Sequence, residues 1–187
     1  MKNCLLLCAF FLVSFAYGKE NKRLPKILDS VCVKAKNHYF NYNILESFKS
    51  FNRLKKLSDS LNNHYGKSVS NLYLGNIYKF MDQFDDAKSS FETAKTSAIL
   101  ANDYYLVAST NHALGIVSKR QGYKDDAMDY LNKALESANS LQLSKDKNYT
   151  RQEKTELSYK VLIMLADTYM TVGLIKKSKM EFPSFQS

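Results

Sequence analysis

The stretch DDAKSSFETAKTSA, residues 85–98, reappears forty residues later as DDAMDYLNKALESA, residues 125–138. When residues 71–98 are aligned with residues 111–138, ten of 28 positions are identical, whereas about two matches are expected from ordinary residue frequencies. Small and large apolar residues alternate in both copies at intervals of three and four, which places them on one face of an α-helix. The repetition therefore predicts two copies of one helical unit, each packing its apolar face against a neighbouring helix.

Each copy also contains an apolar segment upstream of this face, with a glycine after a leucine. A glycine inside a helix costs about 1 kcal/mol relative to alanine, so its recurrence at one repeat position predicts a close approach of two helix backbones. A third and weaker copy follows within LADTYMTVGLIKKSKMEF, residues 165–182, after an insertion of about 11 residues. The predicted repeat core consists of Leu74, Gly75, Tyr78, Ala87, Phe91, Ala94, Leu114, Gly115, Ala127, Leu131, Ala134, Leu165, Ala166 and Tyr169.

The same pattern extends in degenerate form towards both ends of the chain. Upstream, Ala35, Ser47 and Phe51 take the positions of the glycine, the next alanine and the phenylalanine of the first clear copy. Downstream, Ser178 and Phe182 take the small and the large position of the third copy. The sequence thus predicts units on both sides of the two clear copies.

The chain can be divided along these copies. Gly66, within HYGKS, is predicted to break the chain before the first clear copy. The insertion contains neither proline nor glycine, so it is expected to lengthen helices as well as a loop. The predicted divisions are a signal peptide at 1–18, N-terminal helices with the degenerate copy at 19–67, repeats at 68–103 and 104–141, a basic insertion at 142–153 and a partial repeat at 154–187.

Two aspartate pairs stand at the start of the second predicted helix of each copy, Asp85 with Asp86 and Asp125 with Asp126. Carboxylates at that place accept hydrogen bonds from unpaired backbone N–H groups and complement the helix dipole. Paired carboxylates can also bind a metal or exchange protons, but the matching placement in both copies favours helix capping. We therefore expect these residues to have a structural role.

The first eighteen residues, MKNCLLLCAFFLVSFAYG, combine one lysine, an apolar run and an ending in small residues, which is the pattern of a secretory signal peptide. Cleavage after Gly18 predicts an exported protein, periplasmic or secreted, with no second apolar run long enough for a transmembrane segment. Basic residues directly after the cut leave open an uncleaved anchor of reversed orientation. Cys4 and Cys8 fall in the leader, so Cys32 alone remains, and we interpret it as a small buried apolar residue.

The net charge of +9 favours anionic partners. Exported proteins rarely meet nucleic acid, so nucleic acid is not an expected partner. The basic residues are dispersed, with denser groups after the leader, at residues 145–154 and at residues 176–179, and we interpret them mainly as solvated surfaces. A contact between these groups and an anionic envelope surface stays open as an alternative.

The order Leu-Gly, aromatic, Ala, aromatic, Ala in the first copy resembles the tetratricopeptide repeat, and the second copy departs from it at Ser118, where an aromatic residue is expected. The offset of 40 residues exceeds the usual period of about 34 and is similar to the longer-helix type in exported sensor regions of bacterial signalling proteins. The resemblance implies an all-α fold of antiparallel helix pairs stacked as a right-handed superhelix. It also implies a non-enzymatic scaffold, without a cofactor, that binds a protein or peptide.

The resemblance further implies that the first helix of each pair lines a concave groove for the ligand. Asn76, Lys119 and Arg120 are expected to hold a ligand carboxylate, with a bidentate fork from the arginine; solvation of the helix end by Lys119 and Arg120 is an equal alternative. Leu72 stands where the carboxylate clamp of chaperone-binding members has lysine, so that clamp is not expected. The predicted groove residues are Leu72, Asn76, Lys79, Phe80, His112, Ile116, Lys119, Arg120, Ile163, Asp167 and Met170.

Signatures of catalysis are missing from the sequence. The chain has no GxGxxG, no phosphate-binding glycine loop, no HExxH and no CxxC pair, and its three histidines are scattered, so neither an enzyme nor a metal site is predicted. Two functions remain. One is an exported scaffold that binds a protein or peptide, with the sensory half of a signalling protein as one form of it; the other is a structural protein of an envelope assembly that binds through basic surfaces. The C-terminal edge, which ends in KMEFPSFQS, is a candidate surface for self-association.

Overall fold

The computed structural model describes residues 24–144 and 148–172 of the 187-residue chain. These residues form seven α-helices and no strand: α1 (Lys26–Phe40), α2 (Ile44–Ser60), α3 (His64–Phe80), α4 (Phe84–Leu100), α5 (Tyr104–Arg120), α6 (Lys124–Leu143) and α7 (Arg151–Val172). Successive helices pack against each other, and each odd-numbered helix also contacts the next odd-numbered one. The predicted all-α fold of stacked helix pairs is therefore confirmed. We call the pairs α1–α2, α3–α4 and α5–α6 units; α7 follows them as the last helix of the described chain.

Three-residue turns join the helices from α1 to α6, and all five turns have the same backbone form. The middle residue of each is left-handed, with φ of 59° at Tyr42, 47° at Asn62, 57° at Asp82, 53° at Asn102 and 85° at Gly122. The next amide donates to the carbonyl five residues earlier, as from Asn43 to His38 at 2.9 Å, which closes the helix with a Schellman motif. Because the turns are alike, successive helices reverse in the same way and the units stack regularly.

Side-chain caps occur at α3 and α5, the first helices of the second and third units, but not at α1, whereas the sequence predicts them at the second helix of a unit. Asn63 accepts from the Gly66 amide at 2.7 Å at the start of α3, and Asp103 accepts from the backbone of α5 at 3.0 Å. The starts of α4 and α6 have no side-chain cap hydrogen bond, because the aspartate pairs 85–86 and 125–126 lie within the first turn rather than before it. The predicted capping hydrogen bonds are wrong there, although negative charge in a first turn still complements the helix dipole.

Gly66 lies within the first turn of α3 and does not break the chain, so that prediction is also wrong. A Cβ atom at this position would collide with the Ser58 hydroxyl of α2. The residue is therefore a place where α2 and α3 come close, which only a glycine permits without a shift of the neighbouring side chain. Since α3 begins at His64, the unit predicted from residue 68 starts inside this helix.

The two helices of a unit pack most closely where the apolar faces that recur in the sequence repeat meet each other. A Cβ atom on Gly75 would lie 2.5 Å from the Phe91 ring, and one on Gly115 would lie 2.7 Å from Cγ of Leu131. Each of these glycines is thus covered by the large residue of the next helix. Phe91 and Leu131 have no exposed surface at all, so the contact lies at the centre of each unit.

Three predicted core residues are not fully buried. Tyr78 and Tyr169 are half-buried, and Ala166 is exposed. For Ala166 the prediction of burial is wrong, because the residue lies on a different side of α7 from the buried residues Val161 and Leu165. The other eleven predicted core residues are buried. Cys32 is buried in α1, and this burial raises the pKa of its thiol.

The predicted insertion lengthens two helices, since α6 has 20 residues and α7 has 22, against 17 in α2 to α5. A capping box opens α7: the Thr150 amide and hydroxyl donate to the Glu153 carboxylate at 2.7 and 2.8 Å, and the Glu153 amide donates back to the Thr150 hydroxyl oxygen at 3.2 Å.

Lys154 is only 7% exposed, and its ammonium group donates to the carbonyls of Leu141 at 3.1 Å and Ser144 at 3.3 Å. The interpretation as a solvated surface is therefore wrong for Lys154, which caps the C-terminus of α6.

Candidate partner-binding groove

A concave groove runs across the first helices of the three units and across α7, and it holds a cavity of about 340 Å³. Helices α1, α3, α5 and α7 line the cavity, and α2, α4 and α6 contribute no lining residue. This arrangement follows from the contacts between odd-numbered helices, which place those helices side by side on one surface. The lining residues are Tyr39, Phe40, Leu72, Tyr73, Asn76, Lys79, Tyr105, Ser109, His112, Ala113, Ile116, Glu153, Glu156, Leu157 and Lys160.

Part of the lining is an aromatic wall formed by Tyr39, Phe40, Tyr73 and Tyr105. Tyr73 meets Tyr39 edge to face, with 5.0 Å between ring centroids, and stacks on buried Phe51 at 4.6 Å. Rings held by such packing offer apolar area with little conformational freedom left to lose, which suits the binding of an apolar side chain. Phe40 is 54% exposed, so the wall is open to a ligand.

The segment before α7 packs against the Tyr105 end of the aromatic wall. Tyr149 stacks on Tyr105 with 4.3 Å between ring centroids, and its hydroxyl donates to Oδ2 of Asp103 at 2.8 Å. Burial, together with the neighbouring Tyr65 and Asp103, raises the pKa of Tyr149, so its phenol stays protonated and continues to donate. Because Asp103 also caps α5, one carboxylate fixes both the start of α5 and the approach to α7.

Lys79 and Asn76 form the polar part of the groove on α3. Lys79 Nζ donates to Oδ1 of Asn76 at 2.9 Å, and within the described residues it has no ion pair with a carboxylate. Burial, and to a smaller extent the charge of Arg120, lowers the pKa of Lys79. An ammonium group that has lost water and lacks a carboxylate partner attracts an anionic group of a ligand.

His112 lies on α5 in the middle of the cavity, between charged residues of two neighbouring helices. Burial, followed by the charges of Lys79 on α3 and Lys160 on α7, lowers the pKa of His112 to about 4. The imidazole is therefore neutral at pH 7, where one ring nitrogen donates and the other accepts hydrogen bonds. It adds a polar contact to the groove but no positive charge.

Lys119 and Arg120 do not line the cavity, so the structure does not place them where a bound carboxylate was predicted. Lys119 forms a short ion pair with Asp167 that joins α5 to α7. Arg120 Nη1 lies 3.4 Å from Oδ1 of Asp82, and its guanidinium lies over the Phe84 ring at 5.9 Å. Both cations are thus used to connect neighbouring units, because side chains at the end of α5 reach the acidic residues of the adjacent helices.

Some of the predicted groove residues line the cavity and others lie outside it. Phe80, Ile163 and Met170 are exposed by 72%, 69% and 61%, and none of them lines the cavity. Phe80 ends α3, while Ile163 and Met170 lie on the side of α7 that faces away from α5 and α6. The predicted residues that do line it are Leu72, Asn76, Lys79, His112 and Ile116.

Sequence reasoning missed most of the aromatic and acidic lining. The cavity uses the end of α1, the middle of α3 and the start of α7, so equivalent positions of the repeat do not occupy equivalent positions in the groove. Successive tyrosines of the wall, from Tyr39 to Tyr73 and from Tyr73 to Tyr105, are accordingly separated by fewer than forty residues. A search for aromatic residues at this shorter interval could have found them.

Other kinds of site were sought in the same residues. Within 24–144 and 148–172, no group of three or more His, Cys, Asp or Glu side chains is arranged to hold a metal ion. None of the helices in these ranges is both long and apolar enough to cross a membrane.

The fold defines a helical-repeat protein. The family model described as Tetratricopeptide repeat matches residues 71–98 and 108–140, which fall in α3–α4 and α5–α6. These two segments are tetratricopeptide repeats, units that generally form non-enzymatic scaffolds for protein–protein interaction. Neither a comparison with curated proteins nor one with solved structures gave a match.

Acid is expected to destabilise the protein through His112. Its pKa is about 4 in the folded chain and about 6.5 in an unfolded one, so between these values the unfolded state binds more protons and the free energy of unfolding falls as pH decreases. We expect a loss of about 1–3 kcal/mol between pH 7 and pH 4 from this residue. Urea denaturation at pH 7, 6, 5 and 4 measures it, with His112→Gln as the non-titrating comparison. Equal pH dependence in both proteins would contradict the expectation.

Proposed function

We propose that the protein is an exported scaffold that binds an extended segment of a partner protein in the concave groove. The observation that supports this proposal is that one cavity, open to solvent, is lined by the first helices of the three units together with α7. A cavity of about 340 Å³ is near the lower end of ligand-site volumes, which run from about 300 to 1,000 Å³. It suits a short stretch of extended chain better than the surface of a folded domain.

The chemistry of the groove points to a segment with one acidic and one apolar side chain. Lys79 lacks a carboxylate partner in the described structure and is already positioned by Asn76 at 2.9 Å. A ligand carboxylate at this point would make a charge-assisted hydrogen bond and would restore the solvation that burial has removed. An apolar side chain would pack on the wall that includes Tyr39 and Tyr73. The two subsites together would select an acidic residue close to an apolar one.

A selection from a phage-displayed peptide library tests the groove. Peptides that bind the wild-type protein are expected to lose affinity by about 10-fold to 100-fold when Lys79→Ala removes the charged hydrogen bond. Titration calorimetry with the selected peptides measures the change. Lys56→Ala is the matched control, because Lys56 is exposed on α2 outside the groove, and it should leave the affinity unchanged.

Two results would count against the groove. In one, selected peptides bind the Lys79→Ala protein as tightly as the wild type; in the other, no peptide is enriched at all. Binding that is lost in about 0.5 M salt but is insensitive to Lys79→Ala would instead favour the alternative, an envelope-assembly protein that binds through its basic surfaces.

Export remains part of the proposal and rests on the leader sequence, which lies outside the described residues. An apolar run behind a single lysine and a small-residue ending supports secretion into a periplasmic or extracellular space. A sensory role in signalling rests on the resemblance to long-period repeats alone. N-terminal sequencing of the protein recovered outside the cytoplasm, with Lys19 as the expected first residue, would test the cleavage.

A further inference from the structure

The side of α7 that faces away from α5 and α6 is apolar and exposed in the described structure. This surface, which we call the outer face of α7, consists of Tyr159, Leu162, Ile163, Ala166 and Met170. The four large residues are exposed by 45% to 69%, and the spacing of three and four places all five on one stripe of the helix. The opposite side of α7 is already buried, so this helix is apolar on both sides, as is typical of a helix packed between two neighbours.

In the other units, the position equivalent to Ala166 is covered by the second helix. The covering residue stands sixteen positions later in the sequence: Phe91 covers Gly75, and Leu131 covers Gly115. A small residue twelve positions later, Ala87 or Ala127, is fully buried. The first unit keeps the same intervals after Ala35, with buried Ser47 and buried Phe51.

The sequence after α7 repeats these two intervals. Ser178 stands twelve positions after Ala166 and Phe182 sixteen positions after it. We propose that residues 174–182 of this chain dock on the outer face of α7, with Phe182 against Ala166 and Ser178 at the position of close approach. The occupant of this apolar face is thus a segment of the same chain.

Reach and concentration both favour this segment over a second copy of the protein. Ten residues separate Val172 from Phe182, and an extended chain of that length spans up to about 33 Å. Ala166 lies six residues before the end of α7, which is about 9 Å along the helix. A segment tethered so close has an effective concentration of the order of millimolar, whereas a second copy must associate at the working protein concentration.

Disulfide trapping in the full chain distinguishes the two occupants. Ala166→Cys and Phe182→Cys are introduced together in a background in which Cys4, Cys8 and Cys32 are replaced by serine, and the protein is oxidised with copper phenanthroline at low concentration. We expect a bond within one chain, seen by mass spectrometry as the loss of two hydrogens in a monomer. Glu156→Cys with Phe182→Cys is the matched control, because Glu156 lies in the groove on another side of α7 and should not be trapped. The pair Ala35→Cys and Phe51→Cys, at the same interval in the first unit, gives the reference yield.

Each alternative outcome overturns the proposal. A disulfide that joins two chains would assign the outer face to a second copy, and the absence of any bond, with a normal yield from the reference pair, would show that Phe182 does not reach Ala166. Removal of residues 173–187 provides an independent readout. The shortened protein should retain its helical circular dichroism and become dimeric or larger in light scattering, while the full chain stays monomeric; a monomeric shortened protein would also contradict the docking.

Discussion

Replacing Phe91 with alanine is expected to lower the free energy of unfolding by about 3–5 kcal/mol. The Phe91 ring has no exposed surface and lies against Gly75 of the preceding helix. Its neighbours on the same helix face, Ala87 and Ala94, are small and fully buried, so no nearby side chain can fill the space that the ring leaves. Urea denaturation followed by circular dichroism measures the change.

An exposed phenylalanine in the same unit provides the comparison. Phe80 is 72% exposed at the end of α3, and Phe80→Ala should change the free energy of unfolding by less than about 0.5 kcal/mol. If Phe91→Ala cost less than about 1 kcal/mol, the contact between α3 and α4 would not be the centre of the unit, and the description of the repeat core would be wrong.

The second large effect is expected from filling the other side of the same contact. A Cβ atom on Gly75 would already lie 2.5 Å from the Phe91 ring, so Gly75→Leu forces α3 and α4 apart and should cost about 3 kcal/mol or more. Combining Gly75→Leu with Phe91→Ala exchanges the large and the small residue between the helices. Because the two positions share one space, the double variant should be more stable than the sum of the single losses predicts.

Gly122 shows what a glycine substitution costs when no neighbour is in the way. Its φ is 85°, and a Cβ atom there would meet nothing within 4 Å, so Gly122→Ala should cost only the left-handed strain of about 1–2 kcal/mol. Two results would contradict the packing described for α3 and α4. In one, the losses in free energy of unfolding from Gly75→Leu and Phe91→Ala are strictly additive in the double variant; in the other, Gly75→Leu costs less than Gly122→Ala.

Much of the fold could be predicted because the burial of a helix face depends on local spacing. The stripe of Ala87, Phe91 and Ala94 repeats every three or four residues, and any helix with this pattern must cover it. The turns were harder to predict, since only Gly122 among their left-handed residues is a glycine. Tyr42 in particular gives no local signal of its backbone conformation.

The groove could be predicted only in part, because its shape depends on how each unit rotates relative to the next. Leu72 and His112 are expected in the groove from the resemblance to the tetratricopeptide repeat, which implies that the first helix of each pair lines it. Lys119 and Arg120 were assigned to ligand binding because the sequence does not reveal that Asp167, 48 residues away, and Asp82, 38 residues away, take up their charges. Contacts over such distances are set by the stacking of whole units, which single-sequence spacing does not describe.

The order of helix contacts has a consequence for how a bound partner would act on the protein. In the described chain the backbone of each helix lies close only to helices one or two places along, so the backbone of α1 does not approach that of α5 or α7. Yet the cavity includes Tyr39 from α1 and Glu153 from α7. A ligand in the groove would therefore contact both α1 and α7. Without a ligand, units that touch only their neighbours can unfold one by one from either end; a bound ligand would make the whole stack unfold together.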